Sequence, residues 1–298
     1  MNVITSASDL RRTLAPVGER DRIAFVPTMG CLHEGHLSLI RKARRLADIV
    51  VVSIYVNPMQ FGPNEDFDAY PRTFDADCKI CEQEGVDIIF HPETLYPADG
   101  IKVSLKVDEL GNCLCGVARP GHFDGVATVV NILFNIVQPD IAIFGEKDWQ
   151  QLTILRRVAE DLQMAVEVIG SETLREDDGL AMSSRNRYLK TQDRALATNL
   201  NKALAAMQAR AKGGETDVRK LIAAGGDILG KAGIKSEYLE VRDAYTLNPV
   251  TVLSQQHPAR AFIAARIGPA RLIDNAPLPI PGEEFKGLTI ADQKEVSQ

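Results

Sequence analysis

The sequence predicts an α/β protein, a doubly wound parallel sheet followed by a second, smaller α+β domain, and three observations carry that prediction. Apolar, β-branched runs recur that are too continuous for strands with one wet face. Between them lie segments whose apolar residues fall at helical spacing. From about Leu180 the rhythm changes to two long helical stretches and then strand-like runs, which puts a domain boundary near Asp178, with residues 1–178 before it and 179–298 after it.

The elements follow in order. Arg22 to Val26 reads as a buried strand, and Leu37, Leu39, Ile40, Ala43 and Leu46 set a helical period after it. Ile49 to Val56 reads as a central parallel strand, since nearly every side chain in it is apolar or β-branched. Phe74 to Gly85 reads as a helix closed by glycine, followed by the short strand Val86 to Phe90. Gly125 to Val137 is helical and stops before Pro139; Ile141 to Phe144 is a strand, Asp148 to Leu162 a helix, and Ala165 to Ile169 the next strand. Two segments interrupt the alternation. Asn57 to Arg72, rich in Pro, Gly, Asn and Asp, is a loop or gate, and Lys102 to Val107 is expected as an inserted strand. In the second domain, helices span Thr191 to Lys212 and Asp217 to Ala232, with strands near Tyr238 to Val241, Arg260 to Ala265 and Arg271 to Ile273. The polar tail after Pro281 is expected to fray.

Composition narrows the function classes. With 298 residues, 45% hydrophobic and 25% charged, the chain has the profile of a soluble globular protein with room for two cores. A net charge of −6 argues against gripping nucleic acid by general electrostatics. No apolar run approaches the roughly 20 residues that span a bilayer, and the N-terminus lacks a basic-then-apolar export pattern. The expectation is a cytoplasmic protein with neither nucleic-acid nor membrane partners. The five cysteines, an odd set, suit a reducing compartment. Cys78, Cys81, Cys113 and Cys115 match a four-thiolate zinc site in number, but Cys78 and Cys81 fall at packing positions of a predicted helix, and buried thiols are the simpler reading.

The chemistry concentrates in Pro27-Thr28-Met29-Gly30-Cys31-Leu32-His33-Glu34-Gly35-His36, between the first strand and the first helix. His33 and His36, three residues apart, share a face of the first helical turn. The unpaired N–H groups and positive dipole end of such a helix attract anions, and two imidazoles add donors suited to a triphosphate. Read alone, the pair is equally compatible with a zinc pair or with two surface histidines.

In open parallel sheets ligands bind beyond the carboxyl ends of the strands. Collected there are Pro27 to His36, then Asn57-Pro58-Met59-Gln60, then Gly145-Glu146-Lys147-Asp148-Trp149-Gln150-Gln151, and after the last strand Met182-Ser183-Ser184-Arg185-Asn186. The set offers imidazoles, a lysine, an arginine, hydroxyls and amides with few carboxylates, which suits phosphate oxygens and an oxygen-rich organic acid. No nucleophile-plus-base triad stands out. Taken singly, Lys147 and Arg185 read as solvated charges, Ser183-Ser184 as a cap or turn, and Gln150-Gln151 as exposed helix residues.

The strings Pro27-Thr28-Met29-Gly30, His33-Glu34-Gly35-His36, Val56-Asn57-Pro58-Met59-Gln60-Phe61, Tyr70-Pro71-Arg72-Thr73, Arg119-Pro120-Gly121-His122-Phe123, Phe144-Gly145-Glu146-Lys147-Asp148, Met182-Ser183-Ser184-Arg185-Asn186 and Arg271-Leu272-Ile273-Asp274-Asn275 together resemble the pantoate–β-alanine ligases, or pantothenate synthetases. These belong to the H-x-G-H nucleotidyltransferase superfamily. The resemblance covers nearly the whole chain. It implies a Rossmann-like catalytic domain, a lid-like second domain and a homodimer through the first domain. The implied reaction joins ATP and pantoate into pantoyl adenylate with release of pyrophosphate, after which β-alanine displaces AMP to give pantothenate for coenzyme A synthesis.

By the same resemblance, ATP is bound by Met29, Gly30, Cys31, Leu32, His33, Glu34, Gly35, His36, Gly145, Glu146, Lys147, Asp148, Leu174, Met182, Ser183, Ser184 and Arg185. His36 is the implied general acid; His33, Lys147, Ser183, Ser184 and Arg185 neutralise the phosphates, the last three as a KMSKS-type loop does. Gln60 and Gln151 hold pantoate with Asn57 and Arg119 nearby, and Gln60 also meets β-alanine. An amide both donates and accepts, which fits a substrate with two hydroxyls and one carboxylate. ATP is a substrate carrying Mg2+, no tightly bound organic cofactor is expected, and no protein carboxylate is assigned to the metal. The chain departs from relatives at Cys31, usually a polar position, and at Asp124, where a basic residue is common; Cys31 is expected to confer sensitivity to thiol reagents. Another H-x-G-H nucleotidyltransferase would need basic residues for a phosphorylated acceptor where Gln60 and Gln151 stand. A nucleotide sensor would bind ATP without turnover.

Overall fold

In the computed structural model, which describes residues 1–17, 21–63 and 65–280, the chain divides into two units, Met1–Leu174 and Arg175–Gln298. The first is built on a parallel sheet of β1 (Asn2–Ile4), β2 (Ile23–Thr28), β3 (Ile49–Ile54), β4 (Ile88–Phe90), β5 (Ile141–Gly145) and β6 (Glu167–Ser171). Its strand order is β1-β4-β3-β2-β5-β6. Its helices are α1 (Ala7–Leu14), α2 (Glu34–Leu46), α3 (Phe74–Gln83), α4 (Cys115–Ala118), α5 (His122–Val137) and α6 (Trp149–Asp161).

Alternation along the strands explains why both faces are covered. Ala24 and Val26 of β2 pack with Val50 and Val52 of β3, Ile141 and Ile143 of β5, and Leu39, Ile40 and Ala43 of α2. Phe25, between them, points the other way and meets Phe134 of α5 edge-on at 6.4 Å. A strand buried on both faces must be apolar at nearly every position, which is why β3 reads Ile-Val-Val-Val-Ser-Ile.

The chain winds outward from β2 through β3 to β4, then returns to lay β5 and β6 on the other side of β2. Strand order therefore reverses between β2 and β5, which pair in parallel with Ala24 opposite Ile141 and Phe25 opposite Ala142. The carboxyl ends of these two strands frame the crevice where such sheets bind ligands.

Three local features differ from expectation. The edge strand β1 and helix α1 are too short to show a hydrophobic period, and the sequence reading assigns nothing there. Lys102 to Val107 is not a strand: Leu105 N–H donates to Thr128 Oγ1 (3.0 Å) and Val107 N–H to Asp124 Oδ1 (2.8 Å), so side chains of α5 replace a ladder partner. Asp124 thus anchors that segment. Finally, α5 begins at His122 rather than Gly125, entered through Gly121 at φ +79.

The second unit places α7 (Thr191–Lys212) and α8 (Val218–Lys231) against an antiparallel sheet of β7 (Ser236–Asp243), β8 (Ala259–Ile267) and β9 (Ala270–Leu278), in the order β7-β8-β9. Leu200, Leu204 and Met207 of α7 and Leu221 of α8 share a core with Ile263 and Leu272. The strands extend beyond the short runs expected, because small residues such as Ala259, Ala261 and Ala276 are buried ladder positions without a strong β signal of their own. The polar tail after Pro281 lies outside the described residues.

Candidate active site

The turn leaving β2 is held from within. Asp77 of α3, only 1% exposed, accepts the backbone N–H groups of Cys31 (2.9 Å) and Leu32 (2.8 Å) and the Thr73 hydroxyl (3.1 Å). Gly30 sits at φ +80, where a Cβ would lie 3.0 Å from both Asp77 Oδ2 and Ile54 Cγ2. Cys31 follows in the left-handed region at φ 53, a conformation a non-glycine residue keeps only when its surroundings enforce it.

The turn delivers the two histidines as a reciprocal cap on α2. His33 Nδ1 accepts from Gly35 N–H at 3.1 Å, His36 Nδ1 accepts from His33 N–H at 3.3 Å, and the rings lie 4.1 Å apart. A backbone N–H can only donate, so each ring keeps its lone pair on Nδ1 and carries its proton on Nε2. Burial pushes His36 down to about 3, and electrostatic coupling to His33 and Lys147 adds to the effect. His36 is therefore a neutral N–H donor.

Lys147 leaves β5 on the turn Glu146–Asp148, its side chain 20% exposed and its ammonium 3.7 Å from Asp148. Gly145 closes β5, and Glu146 lies against Gly170, where a Cβ would come within 3.1 Å of its side chain.

Gln60 ends the turn Pro58–Gln60 after β3, with its amide oriented on both sides. Its Oε1 accepts from Asn57 Nδ2 at 3.1 Å, and its Nε2 donates to Met29 Sδ at 3.0 Å. Asn57, 1% exposed, also donates to the Gly125 carbonyl and accepts from Met59 N–H and the Tyr96 hydroxyl, so its polar capacity is spent inside the protein. Gly125 lets α5 approach this turn, since a Cβ there would lie 2.2 Å from the Met59 carbonyl. On α6, Gln150 is buried and bonded to Cys115 N–H and to the Leu110 and Cys113 carbonyls, whereas the side chain of half-buried Gln151 makes no hydrogen bond among the described residues. Exposure was the wrong expectation for Gln150. Arg119 is engaged with Glu65, His122 and the Gln60 carbonyl.

Leu174, 37% exposed, ends the first unit. In the second, Ser183 Oγ accepts from Arg185 N–H at 3.3 Å and caps the turn Ser184–Tyr188. Asn186, buried, donates to Glu176 Oε1 (2.6 Å) and to the Ala181 carbonyl (3.1 Å), bracketing the run from Met182 to Arg185.

The family profile described as pantoate-beta-alanine ligase matches residues 2–277. The chain belongs to that family. As a pantoate–β-alanine ligase family member it is 49% identical to the pantothenate synthetase of Novosphingobium aromaticivorans over 282 residues, covering 92% of this chain and 98% of that one. It is 52% identical to that of Magnetococcus marinus over 266 residues, 87% of this chain and 91% of the relative. The Thermus thermophilus pantothenate synthetase superposes with a TM-score of 0.88 at 43% identity, over 94% of this chain and all 100% of that one. The Francisella tularensis ligase, solved with β-γ ATP and β-alanine, does so at 0.77 and 34%, over 93% and 97%.

Against the family's motifs, sequence reasoning passes over Asp77, although it lies beside the cysteines considered for zinc. Its signal is weak: an aspartate in the first turn of a helix reads as a dipole complement. The five cysteines are thiols rather than disulfides, and among the described residues no group of three or more His, Cys, Asp or Glu is arranged to hold a metal ion. Cys31 is fully buried, so the expected access of thiol reagents to it is not found. No helix among the described residues is long and apolar enough to cross a membrane.

Proposed function

We infer that this protein joins pantoate to β-alanine with ATP, through a pantoyl-adenylate intermediate, releasing pyrophosphate and then AMP. The reading is supported most by one observation: in a chain of this family, two imidazoles, the electrostatically coupled Lys147 and the oriented Gln60 amide gather at the exits of β2, β3 and β5.

A carboxylate is already nucleophilic at pH 7, so the first step needs charge neutralisation and alignment at the α-phosphorus more than a base. The Nε2–H groups of His33 and His36 donate to phosphate oxygens, and Lys147 brings a full charge. With a pKa near 3 in the protein alone, His36 serves as a donor; general-acid catalysis by it requires the polyphosphate charge to raise that value by several units. Ser183, Ser184 and Arg185 are assigned as further phosphate donors on the family resemblance. Met29 to Leu32, Gly145 to Asp148, Leu174 and Met182 complete the ATP-binding set, and Mg2+ arrives on the triphosphate. Gln60 and Gln151 take the pantoate oxygens and Gln60 meets β-alanine, while the saturated Asn57 acts by orienting Gln60. We further assign the protein to the cytoplasm as a homodimer.

The test is pyrophosphate release from Mg-ATP with pantoate alone, then AMP and pantothenate formation once β-alanine is added. Both signals are expected, and both should collapse in Lys147→Ala; ATP binding without pantoate-dependent pyrophosphate would overturn the reading.

A further inference from the structure

The Gln60 turn is held by a chain of buried and half-buried polar groups: Arg119, expected beside pantoate, with Glu65 and His122, which the ligand-binding set does not include. Glu65 lies in the loop after β3, its carboxylate gripping the Arg119 guanidinium through Nε and Nη2, both at 2.6 Å. Nη1 of Arg119 donates to His122 Nε2 at 2.9 Å, and His122 Nδ1 donates to the Gln60 carbonyl at 2.7 Å. A carbonyl only accepts and a guanidinium only donates, so this ring carries its proton on Nδ1, the opposite arrangement from His33 and His36. Arg119 Nη2 also reaches the Gln60 carbonyl at 3.2 Å, which engages both lone pairs of that oxygen. Burial, with the adjacent Arg119 charge, pushes His122 down to about 4 and keeps it a neutral relay. Burial works against a charge on Glu65, but Arg119 holds it below its ordinary range. Four of the five guanidinium N–H groups are thereby committed within the protein, leaving little for a substrate carboxylate.

We propose that Glu65, Arg119 and His122 are positioning residues that set the place of Gln60 and, through it, the affinity for pantoate and β-alanine. The inference rests on the reading of Gln60 as the amide that holds both substrates. Arg119 then contributes by fixing the Pro58–Gln60 turn rather than by touching pantoate. The ion pair ties the loop to the start of α5, and the imidazole carries that constraint to the main chain of Gln60.

The experiment is a steady-state comparison of wild type, Glu65→Ala and His122→Phe, alone and combined with Gln60→Ala. Calorimetric pantoate binding is used where turnover is too slow. Each single variant should raise the KM for pantoate and β-alanine about tenfold, as loss of a charge-assisted hydrogen bond implies, while the KM for ATP stays within about twofold. In the Gln60→Ala background neither should weaken pantoate binding further. A parallel rise in the ATP KM would mean general damage and overturn the proposal, as would unchanged substrate KM values or a full effect persisting without the Gln60 amide. Should Glu65→Ala fail to fold, the isosteric Glu65→Gln is read by the same criteria with a smaller rise. Failure of wild type to turn over pantoate and β-alanine would instead strike the functional reading, so the two failures are distinguishable.

Discussion

The turn after β2 and the run from Met182 to Arg185 both carry groups suited to phosphate, but they are built differently. In the first unit, a buried carboxylate pins Cys31 and Leu32, a glycine at φ +80 sets the bend, and two imidazoles together cap the start of α2. In the second, Ser183 caps a short turn and Asn186 reaches inward, to a Glu176 that also pairs with half-exposed Arg194. The first region is preorganised, with donors aimed before any ligand arrives. The second is held at both ends, by the bridge of Ala181 to Arg175 and by Asn186, with the Ser183 cap between. What separates them is where the buried side chain grips: Asp77 takes N–H groups within the turn, whereas Asn186 brackets its run from outside.

The comparison can be broken by substitution. Lys147→Ala should lower kcat by about 10²- to 10³-fold with the melting temperature unmoved, the loss typical of a preorganised charge-stabilising group. Arg185→Ala should cost less, about tenfold in kcat, because the neighbouring Ser183 and Ser184 hydroxyls partly compensate; equal losses would erase the distinction. Asp77→Ala leaves two buried N–H groups unpaired, so denaturant titration should show about 2–4 kcal/mol less stability, together with a raised ATP KM. Asn186→Ala should lose about 1 kcal/mol and change kcat more than the ATP KM. If Asn186→Ala proves the more damaging of these two, the second region is the true platform.

Acid sharpens the contrast more gently. His36 falls from 6.5 to about 3 in the folded protein and His122 from 6.5 to about 4. Below pH 6.5 the unfolded chain therefore binds more protons than the folded one, so stability is present above that pH and declines as pH falls toward these values. Each histidine contributes a slope of at most about 1.4 kcal/mol per pH unit. Unfolding titrations between about pH 7 and pH 4.5 should show the decline, flattened in His122→Phe and in His36→Ala. Because both groups lie in the first unit, no matching slope is expected from the region around Asn186.

Much of this was legible in the residues themselves. The alternation of apolar runs with helical periods specifies a doubly wound sheet, because a strand buried on both faces admits few polar residues and a helix covering it must be amphipathic. The motif histidines and the post-strand segments also declare themselves, since in such a sheet chemistry collects where strands end. Local pattern misled at Lys102 to Val107, where an extended segment bonds to Thr128 and Asp124 on a helix instead of a strand, and at Gln150, which a helical period cannot distinguish from its neighbour Gln151.

Residue order alone thus determined the fold class, the family and the groups available for phosphate and amide chemistry, because these depend on side-chain identity and short-range period. Tertiary structure alone decided which nitrogen of His33, His36 and His122 carries the proton, that Asn57 and Arg119 spend their hydrogen bonds inside the protein, and that Asp77 shapes the turn after β2. Those outcomes depend on backbone donors exposed by a particular turn or on partners distant in the chain, as Tyr96 lies 39 residues from Asn57 and Gln60 lies 59 from Arg119. No local period encodes them, for a hydrogen bond has a direction that only the assembled neighbours supply.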